Sequence, residues 1–474
     1  MLFNFVVHET SILFYIIGWA SMLFVLIKEW RYPRKAVFWI AVLFALPIVG
    51  FAFYLVLGQS RYRKYSLSLP EEDSEALHKI RKERNAGHEI GFKGKEIADA
   101  LEKVGSDLTY GNDVRLYTIG NPKFEDLMAD IRGAKDHVHL EYYIIRDNDP
   151  LSKELFDLLG DKARNGVEVR LIADWVGLKN NRVMVNKLKN AGAKVKIFNP
   201  LLPNLFSPKK NNRDHRKIVD IDGETAYVGG FNIGVEYLGL GEFGYWRDSG
   251  TRIRGPAVSE VIERFLMDWK YVSGEDLYGN PRYSYRSSPE GNIPVQIVSG
   301  GPDMDYHNQV AFQYLMMIEK AEKTLHIHAP YFIPDETFSM ALRGAAMRGV
   351  DVKVIIPDIQ DHPLVFWANR KFADEVMKDG VKVYEYNGGF IHSKALVADG
   401  CICSVGSANL DDRSLKLNFE TNAMIYSEEI GNKMEEAFQD DIAQSTEYSR
   451  EKFSSMTLWE RIITKISWFL SGEL

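Results

Sequence analysis

The feature that most constrains the fold of this 474-residue chain is an internal duplication. Three segments of the first half recur in the same order in the second half. The pairs are AKDHVHLEYYII (134–145) with AEKTLHIHAPYFI (321–333), GVEVRLIAD (166–174) with GVDVKVIIPD (349–358), and AGAKVKIFN (191–199) with DGVKVYEYN (379–387). Each is a β-branched run preceded by a helical stretch, which indicates parallel sheet. The predicted fold class is α/β, with two similar domains over 106–290 and 291–450 that form a pseudo-two-fold pair.

Two uncharged apolar runs, 11–27 and 36–58, distinguish the amino-terminus from the rest of the chain in composition. About 20 apolar residues cross a bilayer core, so a membrane anchor with two transmembrane helices is predicted over residues 1–60. A cleaved signal peptide is the alternative, but no Lys or Arg precedes the first run. Basic residues flank both ends of the second run and leave the orientation open. We expect a multi-pass protein of the cell membrane with its catalytic domains on the cytoplasmic side.

Two further segments flank the duplicated region. Residues 61–105 are highly charged and are typical of a solvated linker. Residues 451–474 are predicted to contain an amphipathic helix, because apolar side chains recur there at helical spacing. That helix could lie in the membrane interface or pack against the domain, and its sequence favours neither alternative. Its apolar residues are Leu458, Trp459, Ile462, Ile463, Ile466, Phe469 and Leu470.

The strongest functional signal follows the third repeated segment in each half. The sequences HRKIVDIDGETAYVGGFN (215–232) and HSKALVADGCICSVGSAN (392–409) share one pattern, H-x-K-x4-D-x6-G-x2-N. One such pattern is a weak signal, but two in matching copies are not accidental. The candidate catalytic residues are His215, Lys217, Asp222, His392, Lys394 and Asp399, with Asn232 and Asn409 as candidate phosphate-binding residues.

These residue types suit chemistry on a phosphodiester. A histidine serves as nucleophile or acid/base near neutral pH, a lysine supplies positive charge to phosphate oxygens, and an asparagine supplies a neutral donor. Two such sets facing each other would hold one phosphate between two imidazoles without a metal. Each motif aspartate precedes a glycine, as in a tight turn between two strands. We therefore interpret Asp222 and Asp399 as structural more than catalytic.

Two carboxylates occupy matching positions after the motifs. Asp248 in GYWRD and Glu420 in LNFE both open an alternating strand. A catalytic histidine usually needs a carboxylate on its second ring nitrogen, so these residues are candidates for that supporting role. The alternative is that both are ordinary surface carboxylates.

Metal, cofactor and nucleic-acid roles are not indicated. The cysteines Cys401 and Cys403 lack zinc spacing, and four histidines in apolar strands, His137, His139, His326 and His328, are interpreted as structural. We expect neither a metal nor a cofactor. A net charge of −7 provides no general basic field for a nucleic acid.

The two motifs identify the chain as similar to the phospholipase D superfamily, and within it to the bacterial cardiolipin synthases. The resemblance covers nearly the whole chain. The narrower match is carried by NNRDHRK (211–217), GYWRD (244–248), APYFIPD (329–335), GSANLDDRSLKLNFE (406–420) and the apolar LPIVGFAFYLVLG (46–58).

The resemblance implies a transesterification in which two phosphatidylglycerol molecules give cardiolipin and glycerol. His215 would be the nucleophile that forms a phosphatidyl-histidine, and His392 would protonate the departing glycerol. It further implies that each histidine pairs with the carboxylate of the other half, His215 with Glu420 and His392 with Asp248. The implied partners are phosphatidylglycerol and cardiolipin in the bilayer. The sequence leaves open whether the protein forms a homodimer.

Three alternatives remain beside the synthase. One is a phospholipase D-type hydrolase or a synthase that uses another phospholipid donor. The second is a nuclease of the same superfamily, and the third is a membrane scaffold without activity. The motif does not choose among the enzymes, because the acceptor depends on the shape of the pocket.

Overall fold

The computed structural model describes residues 2–29, 33–58, 91–178, 180–200, 211–286, 290–303 and 308–470. Residues 61–90, which form most of the predicted charged linker 61–105, lie outside the described residues. The last four residues of the predicted carboxy-terminal segment also lie outside them.

The strands fall into two series along the chain. The first series is β1 (Leu108–Tyr117), β2 (His137–Ile144), β3 (Glu168–Asp174), β4 (Lys194–Phe198), β5 (Lys217–Ile221), β6 (Thr225–Gly229), β7 (Trp246–Arg247) and β8 (Gly250–Arg254). The second is β9 (Ile293–Gly300), β10 (Thr324–His328), β11 (Phe332–Ile333), β12 (Asp351–Pro357), β13 (Lys382–Tyr386), β14 (Phe390–Ile391), β15 (Ala395–Ala398), β16 (Ile402–Gly406), β17 (Leu410–Asp411), β18 (Glu420–Tyr426) and β19 (Ser445–Glu447).

Helices separate the strands in both series. In the first half they are Lys95–Glu102, Gly120–Gly133, Pro150–Arg164, Trp175–Leu178, Arg182–Asn190 and Val258–Ser273. In the second half they are Gln309–Lys320, Glu336–Met347, Pro363–Met377, Asp412–Lys416, Glu428–Ala443, Arg450–Ser454 and Leu458–Leu470.

Fifteen of these strands form one sheet that runs through both halves. Its order is β19-β13-β12-β10-β15-β16-β18-β9-β1-β8-β6-β5-β2-β3-β4, and the antiparallel pair β1–β9 joins the halves. Outward from that pair, each half has antiparallel strands followed by three parallel ones. In the second half, β19 then pairs antiparallel with β13 at the edge of the sheet. One buried apolar cluster takes residues from both halves, including Ile218, Phe265, Val397 and Phe419. The predicted α/β class is confirmed, and the two halves share a sheet and a core.

Each motif strand belongs to a buried hairpin. All residues of β5 and β15 are buried, and each strand pairs antiparallel with the next one, β6 or β16. Asp222 and Asp399 in the connecting turns have left-handed φ angles of 58° and 52°, followed by Gly223 and Gly400 at 70° and 66°. Two consecutive residues with positive φ make a turn whose twist matches that of the strands, as predicted for Asp-Gly.

The amino-terminal helices correct the predicted anchor over residues 1–60. The first is continuous over Leu2–Lys28, but the second predicted span, 36–58, is broken. Helix Pro33–Ala45 ends before Leu46, whose φ of −139° and ψ of 72° are not helical, and Pro47 begins a new short helix, Pro47–Phe53. Proline has no backbone N–H to donate the hydrogen bond that would continue the preceding helix. Within the described ranges, no helix has both the length and the apolar character required to cross a bilayer, so two transmembrane helices are not found.

The carboxy-terminal helix Leu458–Leu470 presents its apolar side outward. It packs against helix Pro363–Met377, and its buried positions include the small polar residues Thr464 and Ser467. Phe469 also contacts Phe38 of the amino-terminal region, with ring centroids 6.0 Å apart. The exposed apolar side chains of this helix are Leu458, Trp459, Ile462, Ile466 and Phe469.

Candidate active site

The first motif histidine lies beside a strand of the other half. The His215 amide donates to the Phe419 carbonyl at 2.9 Å, and the Phe419 amide donates to the Arg213 carbonyl at 2.9 Å. These bonds place Glu420, the next residue, next to the imidazole. His215 Nδ1 lies 2.9 Å from Glu420 Oε2 and 3.0 Å from Oε1.

The second motif histidine has the corresponding arrangement. Strand β14 pairs parallel with β7 of the first half, and the His392 amide donates to the Arg247 carbonyl at 2.7 Å. His392 Nδ1 then lies 2.5 Å from Asp248 Oδ2. Both contacts implied by the family resemblance are therefore present, and in each the carboxylate comes from the opposite half.

Neighbouring donors fix both carboxylates. Ser407 Oγ donates to Glu420 Oε2 at 2.5 Å, and Asn418 donates to Oε1 at 3.3 Å. The Ser249 amide donates to Asp248 Oδ1 at 2.7 Å. These donors restrict the orientation of each carboxylate, so each can hold Nδ1 as the protonated nitrogen and leave Nε2 for chemistry.

Burial sets the charge of the two histidines. Burial lowers the pKa of His215 to about 4 although Glu420 opposes the shift, and it lowers the pKa of His392 to about 3 with a further contribution from Lys394. Both imidazoles are thus neutral at neutral pH in the free protein. A phosphodiester anion bound beside them would raise the pKa of each, because a negative charge favours the protonated form.

Both motif lysines are buried, and each influences the pKa of both motif histidines. Burial lowers the pKa of Lys217 to about 7 and that of Lys394 to about 8. Lys217 Nζ donates to the His215 carbonyl at 2.6 Å, and Lys394 Nζ donates to the His392 carbonyl. The charge of each lysine also lowers the pKa of both His215 and His392. The two motifs therefore converge on one site.

Both motif asparagines are buried, and their contacts differ. Asn232 Oδ1 accepts from the Ile144 amide at 3.2 Å, and its Nδ2 donates to the Tyr237 hydroxyl at 3.3 Å. That hydroxyl lies 3.2 Å from His392 Nδ1. Asn409 Oδ1 has no hydrogen-bond partner among the described residues.

The motif aspartates lie away from the histidines, at the far end of their strands. Asp222 accepts from the amides of Lys135, Asp136 and His137 at 2.7–2.9 Å. Asp399 accepts from the amides of Glu322, Lys323 and Thr324 at 2.7–3.1 Å. Their contacts fasten the hairpin turn to the start of the neighbouring strand, and their role as turn residues stays a prediction.

The sequence did not predict the aromatic rings that lie beside both imidazoles. The Tyr143 ring meets His215 edge-on at a centroid distance of 4.8 Å, and Trp246 lies 5.2 Å from His392. Tyr143 belongs to the duplicated strand, and Trp246 directly precedes the Arg247–Asp248 pair. The duplication does not single out Tyr143, because Pro330 stands at the same position of the second repeat.

One group of side chains could hold a metal ion. The ligand atoms of His137, His139 and Asp220 lie within 4.8 Å of one another, and all three residues are buried. Asp220 Oδ2 contacts His137 Nε2 at 3.0 Å and His139 Nδ1 at 3.1 Å. The His139 ring stacks on Phe265. These mutual hydrogen bonds account for the group as a structural cluster, in agreement with the interpretation of both histidines.

The α/β fold and the paired histidine–lysine sites define a phospholipase D-like protein. A family model described as "Cardiolipin synthase, PLD-like domain" matches residues 127–269 and 314–442. The cardiolipin synthase of Staphylococcus aureus strain Mu50 is 40% identical over 99% of this chain and 98% of its own length. The major cardiolipin synthase of Bacillus subtilis strain 168 is 38% identical, covering 98% of each chain. The chain belongs to the cardiolipin synthase family.

A solved structure shows the same fold at low sequence identity. The crystal structure of phosphatidylserine synthase from Haemophilus influenzae Rd KW20 aligns with a TM-score of 0.61 and 15% identity. The alignment covers 81% of this chain and 100% of that one. At this identity the likeness shows the fold alone.

Proposed function

We propose that this chain is a membrane-bound phosphatidyltransferase that makes cardiolipin and glycerol from two phosphatidylglycerol molecules. The observation that carries the proposal is the crossed pairing of His215 with Glu420 and His392 with Asp248. Each pair is the histidine–carboxylate unit that a nucleophile or acid/base catalyst needs. The full-length similarity to cardiolipin synthases supports this choice of reaction.

In the first half-reaction, Nε2 of His215 attacks the phosphorus of one phosphatidylglycerol. A P–N bond forms and the bond from phosphorus to the glycerol headgroup oxygen breaks. His392 Nε2 gives its proton to the departing glycerol oxygen, while Asp248 stabilises the imidazolium before transfer. Lys217 and Lys394, aided by Asn232 and Asn409, neutralise the phosphate oxygens.

In the second half-reaction, a headgroup hydroxyl of another phosphatidylglycerol replaces the departed glycerol. His392, now neutral, takes the hydroxyl proton, and the oxygen attacks phosphorus. The P–N bond breaks and returns its electron pair to His215. The product is cardiolipin, both histidines regain their starting state, and no other reactant is consumed.

Exposed apolar surface supports a location at the membrane. Several large apolar side chains of the amino-terminal helices are exposed, among them Trp19 at 70% and Phe44 at 79%. The carboxy-terminal helix exposes Leu458 at 77% and Trp459 at 68%, and Phe469 touches Phe38. Contiguous exposed apolar surface marks an interaction site. We propose that these helices face lipid, beside catalytic domains over 106–290 and 291–450 related by a pseudo-two-fold axis.

Purified full-length protein in phosphatidylglycerol vesicles tests the proposal. We expect cardiolipin and glycerol in equal amounts by mass spectrometry, and neither product from H215A. Phosphatidic acid as the main product would contradict the transferase and favour the hydrolase. Cardiolipin formed only after phosphatidylethanolamine is added would identify a different donor. Identical lipids with wild-type protein and H215A would instead indicate a scaffold.

A further inference from the structure

A tyrosine of the first half reaches the motif histidine of the second half. Tyr237 lies in a short 3₁₀ helix, Val235–Leu238, that follows the first motif. Its hydroxyl lies 3.2 Å from His392 Nδ1, and Asn232 Nδ2 donates to the same hydroxyl at 3.3 Å. One hydroxyl group therefore joins a candidate phosphate-binding residue of one half to the imidazole of the other.

Packing fixes the position of this hydroxyl. The Tyr237 side chain is fully buried, and its ring meets the rings of Phe231 and Trp246 at centroid distances of 5.4 and 5.8 Å. The Val235 amide donates to Asp149 Oδ2 at 2.8 Å, which ties the short helix to the rest of the first half. Burial raises the pKa of Tyr237 well above its ordinary value, so the hydroxyl keeps its proton at neutral pH. A buried tyrosine hydroxyl usually needs a hydrogen-bond partner, and this one has its partners among the motif residues.

The first motif histidine has no such neighbour. Within the described ranges, Nδ1 of His215 has hydrogen-bond contacts only to the two oxygens of Glu420, at 3.0 and 2.9 Å. The residue that matches Tyr237 in the second half is Ser414, because both follow the motif asparagine by the same number of positions. The Ser414 hydroxyl is attached directly to Cβ and cannot reach as far from the backbone. The hydroxyl contact therefore distinguishes His392 from His215.

Two partners on one nitrogen restrict an imidazole more than one partner does. His392 Nδ1 lies 2.5 Å from Asp248 Oδ2 and 3.2 Å from the Tyr237 hydroxyl. When Nδ1 carries the proton, both oxygens can accept from it, and rotation of the ring away from either oxygen weakens a bond. Asn232 in turn holds the Tyr237 hydroxyl. The direction of Nε2 is therefore set relative to Asn232, the residue expected to contact the phosphate.

We infer that Tyr237 is a positioning residue for His392 and directs its Nε2 at the oxygen that leaves or attacks phosphorus. The inference rests on the proposed function, in which His392 moves the proton of that oxygen. A misplaced Nε2 would slow both proton transfers, the one to the departing glycerol and the one from the incoming hydroxyl. It would not slow the attack of His215 itself, because that nucleophile has its own carboxylate, Glu420.

The variant Y237F removes the hydroxyl and keeps the aromatic ring. On phosphatidylglycerol vesicles we expect full-length Y237F to lower kcat about tenfold and to keep KM within about twofold of wild type, because misplacing a proton-transfer group is expensive in rate. The matched control is Y227F, which removes another tyrosine hydroxyl of the first half, one that bonds Asp130 Oδ2 at 2.6 Å. We expect Y227F to keep kcat within about threefold of wild type, since that bond contributes to folding and not to proton transfer.

A donor with an activated leaving group separates positioning from general packing. When phosphatidyl-p-nitrophenol is the donor, His215 forms the P–N bond while the bond from phosphorus to the nitrophenol oxygen breaks. Nitrophenolate departs as an anion and needs no proton from His392. With enzyme in excess and phosphatidylglycerol as acceptor, Y237F should release nitrophenolate within about threefold of the wild-type rate but form cardiolipin about tenfold more slowly. The second half-reaction still needs His392 as base.

Stopped-flow absorbance follows nitrophenolate, and quenched-flow mass spectrometry follows cardiolipin. Tyr237 has no positioning role if Y237F slows both products equally, or if its kcat on phosphatidylglycerol falls no more than that of Y227F. Nitrophenolate release that is equally fast in H215A would contradict the proposed nucleophile, and phosphatidic acid as the wild-type product would contradict the transferase. Either of these results places the fault in the proposed function, while the ratio of the two rates in Y237F still decides the role of Tyr237.

Discussion

Glu420 of the second half holds His215 of the first, with Oε2 2.9 Å from Nδ1. The reciprocal contact joins Asp248 of the first half to His392 of the second. Because each supporting carboxylate belongs to the opposite half, a substitution of the carboxylate in one half should impair the histidine of the other half.

The first prediction concerns this crossed support. E420Q should lower kcat by about 10³-fold and leave KM nearly unchanged, because the amide no longer favours the tautomer with a free Nε2. Steady-state kinetics on phosphatidylglycerol vesicles measure both constants. The matched control is E447Q, a change at an exposed carboxylate on the edge strand β19. A loss in E420Q that is no larger than in this control would contradict the supporting role.

The second prediction separates the roles of the histidines. H392A should accumulate a phosphatidyl adduct on His215, because the nucleophile remains and the base for the second half-reaction is gone. H215A should trap no adduct. Intact-protein mass spectrometry after acid-free quenching detects the added mass. An adduct found only in H215A would reverse the two roles.

The third prediction follows from the lysine pKa values. Burial lowers the pKa of Lys217 to about 7 and that of Lys394 to about 8, so both cations are present at lower pH and are lost as pH rises through these values. KM for phosphatidylglycerol should therefore rise in two steps, above about pH 7 as Lys217 loses its charge and above about pH 8 as Lys394 does. K394R should move the second step to higher pH, because arginine stays protonated. K433R, at an exposed lysine, should not move it.

The fourth prediction tests the motif aspartate as a turn residue. D222A should destabilise the fold by about 1–3 kcal/mol, because three backbone amides lose their acceptor. D222N should be milder, since asparagine tolerates the left-handed φ of this position and keeps one acceptor oxygen. Urea unfolding gives the stability and initial rates give kcat. A large fall in kcat of folded D222N would restore the catalytic interpretation.

The fifth prediction concerns the carboxy-terminal helix. A polarity-sensitive fluorophore attached to I466C should shift to the blue when vesicles are added, because position 466 lies on the exposed apolar side. The same fluorophore on K465C, one residue away on the polar side, should shift much less. Labelling is selective because the native Cys401 and Cys403 are buried. Equal shifts at both positions would count against the proposed orientation.

The sequence predicted much of the site because the motif residues occur twice in the same pattern. His215, Lys217 and Asn232 stood out only because His392, Lys394 and Asn409 repeat them at the same spacing. The turns at Asp222 and Asp399 followed from local chemistry, since Asp-Gly favours positive φ. Residues whose role depends on tertiary contact, such as Trp246 beside His392, had no equivalent local signal.

The amino-terminus shows the limit of a hydropathy pattern. The run 36–58 is uncharged throughout, and apolar composition alone indicates one long helix. Pro47 interrupts it, because a proline cannot donate the hydrogen bond that would continue the preceding helix. The outward apolar side of helix Leu458–Leu470 was also not predictable, since the spacing alone does not tell which side meets the protein.

The continuous sheet has a mechanical consequence. Strands β1 and β9 join the two halves edge to edge by backbone hydrogen bonds. The halves therefore cannot hinge apart without breaking these bonds. In the proposed reaction, lipid substrates would therefore enter and leave past side chains and loops, and not through a gap between the halves. The shared sheet can then stay unchanged while the substrates move.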